Sequence, residues 1–165
     1  MGWGTSIIVY NVDHKNFINN LPGASKLSRI IKTESAGKDR SRLSREIVLA
    51  IRELLKKQQP DEQAFDMAAF ITLSIKKIAA GIDLSVAAWE KKGYWLKADK
   101  FRMDWVWTER LGNQMSQSLA KEEWTEFIKL SIQVAAKLSD VKVTDNNRLG
   151  TPWIGAWRVF YSERH

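Results

Sequence analysis

From about residue 40 onward, apolar positions recur at helical spacing in four successive stretches. In the first, Leu43, Ile47, Ala50, Ile51, Leu54 and Leu55 return every third or fourth residue and so share one face of a helix. Glu53 and Lys57 add a favourable i,i+4 pair to it. Pro60 stops this helix and suits the first turn of the next, where Asp61 and Glu62 complement the positive end of the helix dipole.

The second stretch is the most regular. Ala64, Ala68, Ile71, Ile75, Ile78, Ile82, Val86 and Trp89 recur with a mean step near 3.6, the period of a straight helix rather than a supercoiled seam. The spacing predicts a helix from 61 to about 91, roughly 45 Å long at about 1.5 Å per residue. Gly81 weakens it by about 1 kcal/mol relative to alanine, and Gly93 is a natural C-terminal cap. A second apolar set, Phe70, Leu73 and Leu84, lies opposite the main stripe beside Asp66 and Lys77. A helix greasy on two sides must be covered twice. Either it is the central helix, or Phe70, Leu73 and Leu84 form an interface with a partner or a second copy.

The third stretch, about 95–118, places Leu96, Met103, Trp107 and Leu111 on one stripe and Phe101, Trp105, Met115 and Leu119 on the next. The fourth, about 121–139, carries Trp124, Phe127, Ile128, Ser131, Val134, Ala135 and Leu138 on one face. Turn residues follow at Asp145–Asn147 and Gly150–Pro152, and then a tail with Trp153, Trp157, Phe160 and Tyr161 that is apolar enough to dock.

Residues 1–38 carry a weaker pattern. Ile7 to Tyr10 fits a short strand, Asp13 with Phe17 and Leu21 fits a short capped helix, Pro22-Gly23 marks a turn, and Glu34 to Lys38 reads as a polar loop. The expected architecture is all-α: an up-and-down four-helix bundle over 39–165 with packed N- and C-terminal segments, residues 1–38 forming an arm on a single domain.

Composition narrows the chemistry. The chain has 165 residues, 44% of them hydrophobic, and no cysteine. Disulfides, thiolate catalysis and thiolate zinc sites are therefore excluded. No run approaches the roughly 18 apolar residues of a membrane span, and no signal-peptide core is visible, so the expected setting is cytoplasmic with no membrane partner. The two histidines, His14 and His165, lack the Glu-x-x-His and His-Glu spacings of helical metal sites, and the glycines fit neither a phosphate loop nor a dinucleotide turn. No catalytic residue, cofactor or metal is expected.

Charge is uneven. Residues 26–57 hold ten Lys/Arg against four acids, a local +6 within a chain of +7. Lys26, Arg29, Lys32, Arg40, Arg42 and Arg45, interleaved with serines, are the candidates for phosphate contact; on the alternative reading they are a solvated outer face. No aromatic residues are interleaved there to stack single-stranded bases.

Tryptophan is abundant at eight. Core packing accounts for Trp89, Trp107 and Trp124, while Trp89, Trp95 and Trp105 could wall a pocket at one end of the bundle. Asp104, between the two apolar stripes of the third helix, is expected as a buried carboxylate paired to a lysine, or lining that pocket. Three readings of function follow: a non-catalytic interaction or assembly protein that can self-associate; a nucleic-acid-binding accessory protein using residues 26–45; and, weakest, a small-molecule sensor or hydrolase with a pocket near Trp89, Trp95 and Trp105.

Overall fold

The computed structural model describes residues 33–164, and among them the ordered elements are all helical. The arm expected over the first residues, with the strand or helix around Ile7 to Leu21 and the cations Lys26, Arg29 and Lys32, lies outside the described residues. In chain order the elements are α1 (Thr33–Leu55), α2 (Glu62–Lys91), α3 (Trp95–Trp105), α4 (Trp107–Ala120), α5 (Trp124–Lys137) and α6 (Ala156–Ser162). No helix among them is long and apolar enough to cross a membrane.

α2 is the hub. It packs against α1, α3, α4 and α6, while α5 packs against α4 and α1. Asp61, expected inside the first turn, is instead the N-cap: its carboxylate accepts the Ala64 amide at 2.8 Å. The Lys57 ammonium and that amide together hold the Asp61 carboxyl below the usual carboxylate range. At the other end Gly93 takes φ +80°, the left-handed conformation that closes a helix. Between these ends Ala64, Phe65, Met67, Ala68, Ala69, Phe70, Ile71 and Ile75 are all buried, so the helix is covered on every side over this span. Gly81 does not break it: Ala36 of α1 packs beside it, 3.8 Å from where a Cβ would stand, and the two small residues bring α1 and α2 close.

Three differences from the expected architecture stand out. α1 begins at Thr33, so Glu34 to Lys38 is helix rather than polar loop; burial of Ala36 against α2 extends it. The third stretch is two helices, with a turn at Val106 between Trp105 and Trp107. The Thr108 hydroxyl donates to the Trp105 carbonyl at 2.7 Å, a local bond that competes with the helical ladder and bends the chain. Trp107 and Leu111 thereby enter the core, while Leu96 and Met103 are left outside, 87% and 76% exposed.

The tail docks through a carboxylate. Asp66 of α2 accepts the amides of Gly155 and Trp157, each at 3.0 Å, and so caps the start of α6 from another helix. Trp153, Val159 and Phe160 are buried behind it. Gly155 has φ +81°, which a side chain rarely adopts.

Candidate interaction surface

α3 has one fully buried residue, Ala98. Trp95, Asp99, Met103 and Val106 follow one another at steps of four, four and three, with Leu96 beside them, so they share one face. Val106 keeps right-handed helical angles, φ −56° and ψ −26°, which continues the stripe past the end of α3. That face points outward: Trp95 is 60% exposed and Val106 60%, beside Leu96 and Met103, with Tyr94 at 57% just ahead of the helix. Four large apolar side chains lie exposed in one arc, a contiguous grouping rather than single scattered residues.

The opposite face of α3 is held by rings and charges. Trp89 meets Phe101 edge-on at 4.8 Å, Phe101 lies 6.4 Å from Trp105, and Trp105 stacks on Trp107 at 5.9 Å. The Arg40 guanidinium lies over Phe101 and Trp105 at 4.8 and 5.4 Å, and the Lys97 ammonium over Trp89 at 4.4 Å. Burial against those rings lowers the pKa of Arg40. Arg102 ties α3 to the end of α2 through Glu90, and also bonds Asp99 at 2.7 Å.

This arrangement redistributes the residues singled out from sequence. Trp89 and Trp105 belong to an aromatic row, and Trp95 points away from the body rather than walling a pocket. Asp104 is a surface residue, its side chain 54% exposed and paired with Lys100 at 3.2 Å. The buried-carboxylate expectation is corrected, because Asp104 shares an exposed flank with Lys100 on a helix that fully buries only Ala98. Phe70 is fully buried and cannot meet a partner, and Leu73 packs against the core; the chain's own helices cover that second face of α2. Leu84, 39% exposed, lines a small groove of about 160 Å³ between α1 and α2 with Ala36, Leu43 and Gly81.

Of the described basic candidates, Arg40 is turned inward on the rings, and Arg42 bonds Asp39 at 2.8 Å with Glu46 3.8 Å away. Arg45 is exposed and, with Lys38 and Ser41, borders a broad open concavity of about 790 Å³. A second concavity of about 460 Å³ lies between the ends of α1 and α2 and the 147–153 loop. Its cations are already engaged, Lys56 with Glu53 at 2.8 Å and Lys57 with Asp61 and Gln63 at 2.8 and 2.6 Å.

The least expected polar group is Glu46, 4% exposed. Burial raises its pKa against the opposing pull of Arg42, Arg45 and Lys77. It lines neither of the two concavities beside it among the described residues. Among the described residues no cluster of three or more His, Asp or Glu could hold a metal ion.

Sequence reasoning missed the outward face of α3, although one signal was present. Asp99 falls in the middle of the Trp95–Val106 stripe, and a charge there is out of place on a core-facing helix. In comparisons with protein-family models, curated proteins and solved structures, nothing matches this chain.

Proposed function

We propose that this chain is a non-catalytic helical interaction protein, and that it docks another protein surface on the outward face of α3. The body that carries it is, on this reading, an up-and-down four-helix bundle of α1, α2, α4 and α5, with α3 and α6 laid on α2. The observation that carries the proposal is the exposure of Leu96 and Met103 at 87% and 76%, flanked by Trp95 and Val106. Aromatic, Met and Leu side chains clustered on a short rigid element supply the apolar centre of a docking site, and the surrounding lysines and aspartates supply its polar rim. The nucleic-acid reading loses ground, because Arg40 is turned onto the rings of α3 and Arg42 is paired with Asp39.

The test is to isolate the tagged chain from its native cells beside a Leu96→Asp, Met103→Asp variant. A stoichiometric species, or a second copy, held by the native chain and lost by the variant supports the proposal. A strict monomer that holds nothing in either form refutes it.

A further inference from the structure

The exposed face of α3 is matched to itself. We infer that its occupant is a second copy of this chain, α3 packed antiparallel on α3 about a twofold axis between Lys100 and Phe101. The inference rests on the reading of α3 as a docking surface and names the partner.

The pairing follows from positions along the helix. Turning one copy end over end about that midpoint brings Trp95 level with Val106 of the second copy and Asp99 level with Arg102 of the second copy. A twofold of this kind sets like flank beside like flank. The Leu96–Met103 flank of one copy then lies along the same apolar flank of the other, and the Asp99–Arg102 flank along its own charged counterpart. Trp95 and Val106 thus meet apolar groups and Asp99 meets a base, with Leu96 and Met103 of the two copies offset by two residues along their shared flank. The Asp99–Arg102 bond already exists within one copy at 2.7 Å, with side chains 65% and 47% exposed, so exchange across the axis needs only rotamer changes.

Asp99 also decides against the main competitor, a lipid surface. Trp95, Tyr94, Leu96 and Met103 beside lysines resemble an interfacial anchor. Asp99 stands in the centre of that arc, and hydrocarbon offers a carboxylate no counter-charge. A second copy offers Arg102.

The contact is one helix face, about 16 Å from Trp95 to Val106 at about 1.5 Å per residue. Such a small interface predicts a weak dimer, with a dissociation constant of roughly 10–500 µM. The experiment is sedimentation equilibrium on the full chain from about 5 µM to about 1 mM, bracketing that range. Asp99→Arg is expected to weaken the dimer about tenfold, through like-charge contact with Arg102 across the axis, whereas Asp99→Glu, which keeps the charge, is expected to leave it within about threefold. Leu96→Asp, at a position with no packing to lose, is expected to abolish it. A native chain that stays monomeric to about 1 mM overturns the inference, since even the weak end of the range would then be populated. So does an Asp99→Arg chain that dimerises as tightly as the native one. If a monomeric chain still retains a different protein through Leu96 and Met103, the second copy is wrong and the docking face stands. If nothing is retained, both fall.

Discussion

Asp66→Ala offers the sharpest test of how the tail is held. The Asp66 carboxylate accepts two backbone amides, from Gly155 and Trp157, each at 3.0 Å. Hydrogen bonds to a charged acceptor contribute about 1.5–3 kcal/mol each, a gross of roughly 3–6. Part of that is offset, because burial raises the Asp66 pKa more strongly than the two amides lower it. A net cost of about 2–3 kcal/mol remains for Asp66→Ala, once the uncapped amides recover some hydration. For a chain of this size that is a fall in Tm of roughly 4–12 °C.

The loss should also be local. Trp157 lies 5.0 Å from Phe65, and Phe65 lies 5.4 Å from Trp124, so loosening of the α6 start changes tryptophan emission before global unfolding. Asp66→Asn keeps one acceptor oxygen and turns its NH2 toward the other amide, so it should lose about half as much. The assays are denaturant unfolding followed by fluorescence and by circular dichroism, with hydrogen exchange at Gly155 and Trp157. If Asp66→Ala falls within about 0.5 kcal/mol of the native chain, the size of an ordinary surface change, the carboxylate does not hold the tail.

Three further outcomes are expected. A Cβ at Gly112 would meet Ile75 Cγ2 at 3.2 Å and Lys76 Cγ at 3.3 Å, and Ile75 is fully buried and cannot yield; Gly112→Val should therefore destabilise by about 2–3 kcal/mol in chemical denaturation. A variant as stable as the native chain would show that α2 and α4 can part. Burial raises the Glu46 pKa above its unfolded value, so the folded state binds this proton more tightly. Its contribution to stability is then greatest below the unfolded pKa and declines as pH rises through the folded one. The stability gained by Glu46→Gln relative to the native chain should accordingly grow as pH is raised above about 4.3 and then level off; a gain that shrinks over that window reverses the sign and refutes the assignment. Finally, Leu96→Ser removes nothing the monomer uses, so Tm at about 5 µM should shift by less than about 2 °C. A larger fall would mean that Leu96 is packed within the single chain.

How much was legible depended on whether a local rule had a competitor. α2 was readable from Asp61 to Gly93 because periodicity, the proline stop, the acidic start and the closing glycine agreed, and the helix runs Glu62–Lys91. The stripe of α5, with Phe127, Leu130, Ser131 and Val134 buried, was equally plain. The end of α3 was hidden because no proline or glycine marks it: Val106 stays in the right-handed region, so the helical period runs through the break and makes Leu96 and Trp107 look like one stripe. Asp66 looked like a polar gap on a greasy helix, and only contacts some ninety residues away, at Gly155 and Trp157, explain it. Gly37 read as loop because its composition is loop-like, whereas a long-range contact of its neighbour Ala36 with Gly81 decides its conformation. Around α3, Leu96 and Met103 turn outward and Arg40 inward, the reverse of what residue type alone suggests.

That inversion has a consequence for how α3 is held. A helix that fully buries only Ala98 lacks the apolar area that fixes α2 or α5. Its attachment rests on Arg40 over Phe101 and Trp105, Lys97 over Trp89, and Arg102 on Glu90. Cation–ring contacts of this kind contribute about 0.5–2 kcal/mol each, and exposed ion pairs less. The aromatic row adds orientation, with Trp105 stacked on Trp107 passing the position of α3 to the core. Covering Trp95, Leu96, Met103 and Val106 would contribute about 1–2.5 kcal/mol for each side chain, scaled by the exposure it loses. Phe101 and Trp105 packed against the core add to the fastening of α3, so the cover would contribute a stabilisation of comparable size and an occupant would steady the helix it binds. α3 should therefore open first in hydrogen exchange on the dilute chain, ahead of α2, and gain protection as concentration rises. Early opening follows from the fastening alone, and protection at high concentration follows only if a second copy is what covers the face.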